Sequence, residues 1–227
     1  MDDPFATPLA QMLAEIVAET ALTAHVTGVA EISERVLAAI ARVPRHEFVP
    51  VELRPAAYAN TPLPVGCGKT ISQPYIVALM TELLGVAAED RVLEIGSGFG
   101  YQASILSHLA REVYTVELID ELARGAQRRF NALKITGVQI KIGNGYYGWP
   151  EHAPFDRIMV TAAPDLIPPP LLAQLKAGGR MMIPTGIPDD QQLVLVEKSA
   201  AGQISTRNVL PVRFSALDEP GDIVGMS

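Results

Sequence analysis

The chain contains one cysteine, Cys67, among its 227 residues. No internal disulfide is therefore possible, and a cysteine-rich metal site is excluded. His46 and His152 stand without metal-ligand spacing, so no bound metal is expected. No uninterrupted apolar run approaches the ~18 residues of a membrane span, and no membrane partner is expected. The opening residues, Met1-Asp2-Asp3-Pro4, are acidic where a secretory leader is basic. Basic residues are also in deficit, with 18 Lys and Arg against 25 Asp and Glu and a formal charge of -7. Phosphate backbones are bound by basic fields, so a nucleic-acid partner is not expected either. Internal repeats and low-complexity tracts are absent as well. What is left, at 48% hydrophobic and 19% charged residues, is a globular chain long enough to bury a large core. A cytoplasmic location is the expectation, and composition leaves oligomeric state open.

Apolar residues at 9, 12, 13, 16 and 17 (Leu9, Met12, Leu13, Ile16, Val17) recur at helical spacing. Ile32, Val36, Ala39, Ile40 and Val43 repeat the pattern until Pro44 stops it. Two amphipathic helices with core-facing stripes are predicted. The proline-rich segment 45–70 reads as an irregular connection. Beyond it, strand patterns at 91–96, 112–117, 138–142 and 155–161 alternate with helical ones near 75–85, 101–110 and 119–134. Such alternation implies parallel strands joined by crossover helices. Two further runs, 179–184 and 192–197, flank a turn at 186–190 and predict an antiparallel hairpin at the sheet edge.

The segment Val92-Leu93-Glu94-Ile95-Gly96-Ser97-Gly98-Phe99-Gly100-Tyr101 carries the most chemistry. An apolar strand runs into three alternating glycines, where the backbone can turn tightly and approach a ligand. A dinucleotide fingerprint would place its third glycine at the position held by Tyr101. Gly96, Gly98 and Gly100 instead suit a nucleoside lying across the turn. Glu117 ends the next apolar run, and a carboxylate about twenty residues beyond such a turn can accept both hydroxyls of a ribose. The alternative is a solvated strand end.

With these residues in view, the chain resembles the protein-L-isoaspartate O-methyltransferases. The resemblance rests on Gly68-Lys69-Thr70-Ile71-Ser72-Gln73-Pro74-Tyr75, on Pro44-Arg45-His46-Glu47-Phe48-Val49-Pro50, and on the glycine segment. It continues through Gly148-Trp149-Pro150, Ala153-Pro154-Phe155-Asp156 and Val160-Thr161-Ala162-Ala163-Pro164, covering roughly residues 30 to 214 in order. The resemblance implies an α/β fold, a seven-stranded S-adenosylmethionine-dependent methyltransferase (Rossmann-like) sheet with an antiparallel edge hairpin and an N-terminal helical extension. It divides the chain into residues 1–74, the N-terminal helices and substrate-side loop, and 75–227, the cofactor-binding core with a C-terminal substrate segment, within one compact domain. It also implies methyl transfer from S-adenosylmethionine to the α-carboxylate of L-isoaspartyl residues in damaged proteins and peptides, whose ester then collapses to a succinimide. Gly96, Ser97, Gly98, Gly100, Glu117, Leu118, Asn144 and Gly145 are the implied cofactor contacts. Ile71, Val212, Arg213 and Phe214 are the implied peptide contacts.

The chemistry explains why no acid–base pair stands out. A carboxylate with a reference pKa near 4 is already ionised at neutral pH, and needs only to be held in line with a methyl–sulfonium bond in a partly dehydrated site. Ser72 and Thr70 are the candidate donors, Ser72 by the family motif. Before Gln73-Pro74, Ser72 could equally cap a helix. Cys67 has no triad partner and reads as a neutral loop thiol, and Trp149 as either packing or an adenine contact. Two positions depart from the family. Gly143-Asn144-Gly145 replaces Gly-Asp-Gly, putting a neutral amide where an acid meets adenine. Ser215-Ala216 replaces an apolar residue and a proline, which leaves that segment freer. The competing readings are an NAD-dependent oxidoreductase, a catalytically silent module that recognises modified peptides, and a methyltransferase acting on another peptide carboxylate.

Overall fold

In the computed structural model, which describes residues 4–217, the first periodic run is a 22-residue helix, α1 (Ala6–Thr27). It buries Met12, Ile16 and Thr20, a stripe of i,i+4 positions, with Leu9 and Leu13 packed at its margin. Val17, expected in the core, is 50% exposed. One residue on from Ile16 is a rotation of about 100°, which carries it off the stripe. Gly28 ends the helix at φ 73 and donates its N–H to Ala24 O at 2.9 Å. The second helix, α2 (Glu34–Arg42), is capped by Ser33, whose hydroxyl accepts from Val36 N–H at 3.4 Å. Its expected face of Ile32, Val36, Ala39, Ile40 and Val43 is buried.

The segment 45–70 is more regular than its prolines suggest. Two 3₁₀ turns, Arg45–Phe48 and Val51–Ala56, precede a small antiparallel hairpin of β1 (Leu63–Gly66) and β2 (Lys69–Ile71). Both loop residues are left-handed, Cys67 at φ 52 and Gly68 at φ 67, as a two-residue hairpin loop requires. The usual signature is Asn-Gly or Asp-Gly, and Cys-Gly conceals it. Helix α3 (Pro74–Leu84) follows, with Pro74 in its first turn and Gly85 as a left-handed C-cap.

The remainder alternates as expected: β3 (Arg91–Ile95), α4 (Tyr101–Ser107), β4 (Glu112–Glu117), α5 (Asp120–Ala132), β5 (Val138–Ile142), β6 (Phe155–Val160), α6 (Pro169–Gln174), β7 (Leu175–Thr185), β8 (Gln191–Lys198) and β9 (Ile204–Val212). Seven strands form one sheet in the order β5-β4-β3-β6-β7-β8-β9. Pairing is parallel from β5 through β7, and antiparallel for β7–β8 and β8–β9. The expected edge hairpin is thus β7–β8, extended outward by β9. Val92, Val113 and Met159 face one apolar layer, shared with Met12, Leu79 and Ile105 from the helices. Leu93, Tyr114 and Ile158 face the other, shared with Leu171 of α6. The period of two serves both layers because both faces are covered. Among the described residues, no helix is long and apolar enough to cross a membrane.

A charge-bearing residue sits within the sheet itself. Glu94, in the middle of β3, is fully buried. Thr115 Oγ1 donates to its Oε2, and Oε1 has no partner among the described residues. Burial raises its pKa to about 8, the Thr115 hydroxyl opposing the rise and the Glu117 charge adding to it. The carboxyl is therefore mainly neutral at pH 7. An unfolded glutamate titrates near 4.3, so the native state holds a proton that the unfolded state releases between these values. Stability from this group is full below the unfolded pKa and is lost as pH rises through the folded one. Glu94→Gln removes the titration while retaining the shape. The melting temperature of the variant should gain on that of the wild type between pH 5 and pH 9, by roughly 2–4 °C per kcal/mol for a domain of this size. Parallel pH profiles in thermal denaturation would show that Glu94 does not titrate as assigned.

Candidate active site

Strand order reverses at β3: β4 and β5 extend to one side, while β6 and β7 lie on the other. At such a switch point the turns leaving the carboxyl ends diverge and open a crevice. The turn after β3 begins at Gly96, at φ 90, where a Cβ would stand 2.7 Å from Thr161 Oγ1. Thr161 follows β6 and donates its hydroxyl to Gly96 O at 2.6 Å and Ile95 O at 2.9 Å. The two diverging turns are thereby tied at their root. Gly98 has nothing within 4 Å of its absent Cβ, and its N–H donates to Glu117 Oε2 at 2.8 Å. Gly100 serves differently. At φ 92 it packs against Phe130, whose Cε1 would be 2.5 Å from a Cβ, and it does not reach the cavity wall.

Glu117 ends β4 at 6% exposure. Its second oxygen, Oε1, accepts from Ile119 N–H at 3.0 Å. Two backbone donors thus fix the carboxylate, and each oxygen keeps a further acceptor direction. Glu117 lines a cavity of about 1060 Å³, part of it open to solvent, together with Gly96, Ser97, Gly98, Leu118, Asn144 and Gly145. Gly145 is placed by packing, since a Cβ would lie 2.3 Å from Ile95 Cγ2. Asn144 differs from expectation in one detail. Its oxygen already accepts from Tyr146 N–H at 2.8 Å, whereas Nδ2 is buried without a partner among the described residues. The group left wholly unpartnered there is a donor.

Thr70, Ile71 and Ser72 close the same cavity from the side of β2. Ser72 does not cap α3; the N-cap is Gln73, which makes no side-chain cap bond. Its hydroxyl has no hydrogen-bond partner among the described residues, and its carbonyl accepts from Arg45 Nη2 at 2.7 Å. Arg45 is wholly buried. Its Nε donates to Ala57 O at 2.8 Å, and its guanidinium carbon lies 4.9 Å from the centre of the Tyr101 ring. Sequence reading passed over this residue. Its available signal was the Pro44–Pro50 segment, where the only arginine lies between two prolines.

A second cavity adjoins the first, sharing Thr70, Ser72, Thr161 and Ser215. Val212, Arg213 and Phe214 line it, so the two expected sets of contacts meet around Ser72. Gln191 clasps the segment, accepting from Phe214 N–H at 2.6 Å and donating to Phe214 O at 3.2 Å. The segment after it is not the freer chain that the missing proline predicts. Ala163 N–H donates to Ser215 O at 2.8 Å, and Leu217 N–H to Ala163 O at 2.9 Å. The Ala216 N–H takes no part in this bridge, so the two bonds that hold the segment do not depend on the residue type at 216.

Trp149 lies outside both cavities, edge-on to Tyr114 at 5.6 Å and to His152 at 4.9 Å, which resolves it as packing. Cys67 is exposed, and desolvation followed by the Glu121 charge pushes its thiol pKa up, the reverse of an activated nucleophile. Among the described residues, no group of three or more His, Cys, Asp or Glu could hold a metal ion.

Comparison with known proteins bears on the whole arrangement. The profile of the family described as protein-L-isoaspartate(D-aspartate) O-methyltransferase matches residues 21–220. Protein-L-isoaspartate O-methyltransferase 1 of Polaromonas sp. is 60% identical over 212 residues, 92% of this chain and 90% of the relative. The enzyme of the same name from Cupriavidus necator is 55% identical over 217 residues, 95% of this chain and 84% of the relative. A solved protein-L-isoaspartate O-methyltransferase superposes with a TM-score of 0.79 at 28% identity, covering 95% of this chain and 67% of that one. The fold is shared also with a putative protein-L-isoaspartate O-methyltransferase from Plasmodium falciparum, solved with S-adenosyl-L-homocysteine. That superposition has a TM-score of 0.76 at 21% identity and covers 96% of this chain and 99% of the other. A match over this length, at these identities and on this sheet shows that the chain belongs to the protein-L-isoaspartate(D-aspartate) O-methyltransferase family.

Proposed function

We infer that the protein transfers a methyl group from S-adenosylmethionine to the α-carboxylate of L-isoaspartyl residues in damaged proteins and peptides. The observation that carries this reading is the meeting of two cavities at Ser72, one walled by the glycine turn and Glu117 and the other by Val212, Arg213 and Phe214. The fit to the cofactor rests on the open space over Gly98, the fixed carboxylate of Glu117 and the orphaned Nδ2 of Asn144. Glu117 would accept the ribose hydroxyls, Asn144 and Gly145 would face adenine, and Gly96, Ser97 and Leu118 would line the bed between. Gly100 would support that bed from behind through Phe130.

When bound, S-adenosylmethionine supplies an electrophilic methyl group on sulfur. The chain's residues need only present the acceptor. The hydroxyls of Ser72 and Thr70 are the donors available to orient the incoming carboxylate, which is already ionised. Ile71, Val77, Met80 and Ile95 line the same cavity and strip water from it, strengthening the donor contacts. Arg45 acts as a positioning residue, holding the main chain at Ser72. Val212, Arg213 and Phe214 would lie along the peptide, where an extended segment can recognise backbone with little selection of side chains. The proposed division after residue 74 would fall within one working unit, since both cavities draw on described residues from either side of it. Isoaspartyl proteins and peptides are the proposed partners, and the cytoplasm the proposed location.

Labelled methyl transfer to an isoaspartyl peptide, with the matching aspartyl peptide as control, tests the function directly; equal labelling of the two would refute it. Glu117→Ala should weaken cofactor binding by about 1.5–3 kcal/mol, the range for hydrogen bonds to a charged group. Calorimetry finding wild-type affinity in the folded variant would remove Glu117 from the site. Ser72→Ala should lower kcat by roughly 10- to 1000-fold, with positioned oxyanion donors as the guide. It should leave cofactor affinity and melting temperature close to wild type, because Ser72 caps nothing. Full turnover in that variant would exclude the hydroxyl from catalysis.

A further inference from the structure

Among the described residues, the second cavity has two charged residues in its wall, Glu19 and Arg213. They are not equivalent. Arg213 is largely exposed and already paired with Asp189 at 2.8 Å. Glu19, on α1, is half-buried and meets only neutral donors. Its Oε2 accepts from Asn60 Nδ2 at 2.7 Å and Gln73 Nε2 at 3.1 Å, and its Oε1 from Gln73 at 3.3 Å. It enters none of the ion pairs formed by the described residues. The groove therefore contains a fixed carboxylate with no ion-pair partner among the described residues, its one cationic side chain being paired with Asp189 instead.

Its placement gives that charge a use. Gln73, which holds Glu19, directly follows Ser72, and both residues line the groove. Asn60, the other holder, accepts from Tyr75 N–H at 2.9 Å through its Oδ1. The carboxylate is thus anchored from two sides, one anchor being the residue that follows Ser72 in the chain. Successive residues of an extended peptide advance by about 3.3 Å, so a peptide lying along the groove with its acceptor at Ser72 runs its flanking residues past the rest of this wall, Glu19 included. An anchored, partly desolvated carboxylate attracts a cation more strongly than one in bulk water does.

We propose that Glu19 is a specificity-determining residue, forming a subsite for a cationic side chain, lysine or arginine, that flanks the isoaspartyl residue. The proposal rests on the reading of Ser72 as the acceptor position. The bland alternative is that Glu19 only ties α1 to the turn before α3. The two differ in what they do to charge selectivity.

The test uses isoaspartyl peptides with lysine or norleucine, matched in length but not in charge, at either neighbouring position. Dissociation constants are measured by fluorescence anisotropy with S-adenosylhomocysteine present, and kcat/KM by methyl transfer, for the wild type and Glu19→Gln. The wild type should prefer lysine at one of the two positions by about 3- to 10-fold at low salt, the scale of a modest ion pair. The preference should shrink in 0.5 M salt, about a 4 Å screening length. In Glu19→Gln the lysine-to-norleucine ratio should fall to about 1, whatever happens to the absolute values. A ratio that survives the substitution, or that is 1 in the wild type, overturns the proposal and leaves Glu19 a structural tie. Lysine-selective, Glu19-dependent binding without any methylation would support the subsite while overturning the catalytic reading.

Discussion

The Thr161 hydroxyl donates to the carbonyls of Ile95 and Gly96, and the geometry of the site descends from that contact. It locks two turns that the sheet topology sends in opposite directions, and it leaves no room for a side chain at residue 96. With the turn after β3 fixed, Gly98 points its N–H at Glu117. With Glu117 fixed, the end of β4 is tied to Ile119 and the start of α5. Each step is a hydrogen bond between a side chain and the backbone, made by Thr161 or Glu117, so little conformational freedom is left to be lost when a ligand arrives.

This economy extends to the electrostatics. Glu94 and Glu117 stand on neighbouring strands, and two buried negative charges so near each other would repel. The fold separates them by environment. Glu117 faces the cavity and has two backbone donors, whereas Glu94 is sealed in the apolar layer with its pKa raised. A neutral acid inside and a carboxylate at the cavity wall is the arrangement that burial and hydrogen bonding together favour.

The core of this fold was legible because both faces of the sheet are covered. Continuous apolar runs such as Val113–Val116 then read as strands, and their alternation with helical patterns identifies crossovers. The glycines and Glu117 were legible for a different reason, a glycine turn after one strand with a carboxylate closing the next, and Ser72 by its place in the family motif. What escaped notice was structure without periodicity. β9 buries only Val209 among its nine residues, and so carries neither alternation nor an apolar run. The β1–β2 hairpin hides behind a Cys-Gly loop, and the 3₁₀ turns behind prolines. The second cavity was half legible. Val212–Phe214 could be placed on it by resemblance, but Glu19 and Thr23 reach it from a helix about fifty residues upstream of Ser72, and nothing local announces that. The direction of the Asn144 amide depends on a hydrogen bond to Tyr146, which no residue pattern encodes.

The fastening of Ser72 has an evolutionary consequence. Arg45 grips the carbonyl of that residue, not its side chain, and β2 and α3 brace the chain on either side. A frame that holds the main chain is indifferent to what the side chain carries. Residue 72 can therefore be exchanged for another small polar residue without disturbing the turn that presents it, and the chemistry offered to an incoming group becomes separable from the architecture that delivers it. The member of the pair that carries the architecture is the buried arginine, which lines neither cavity.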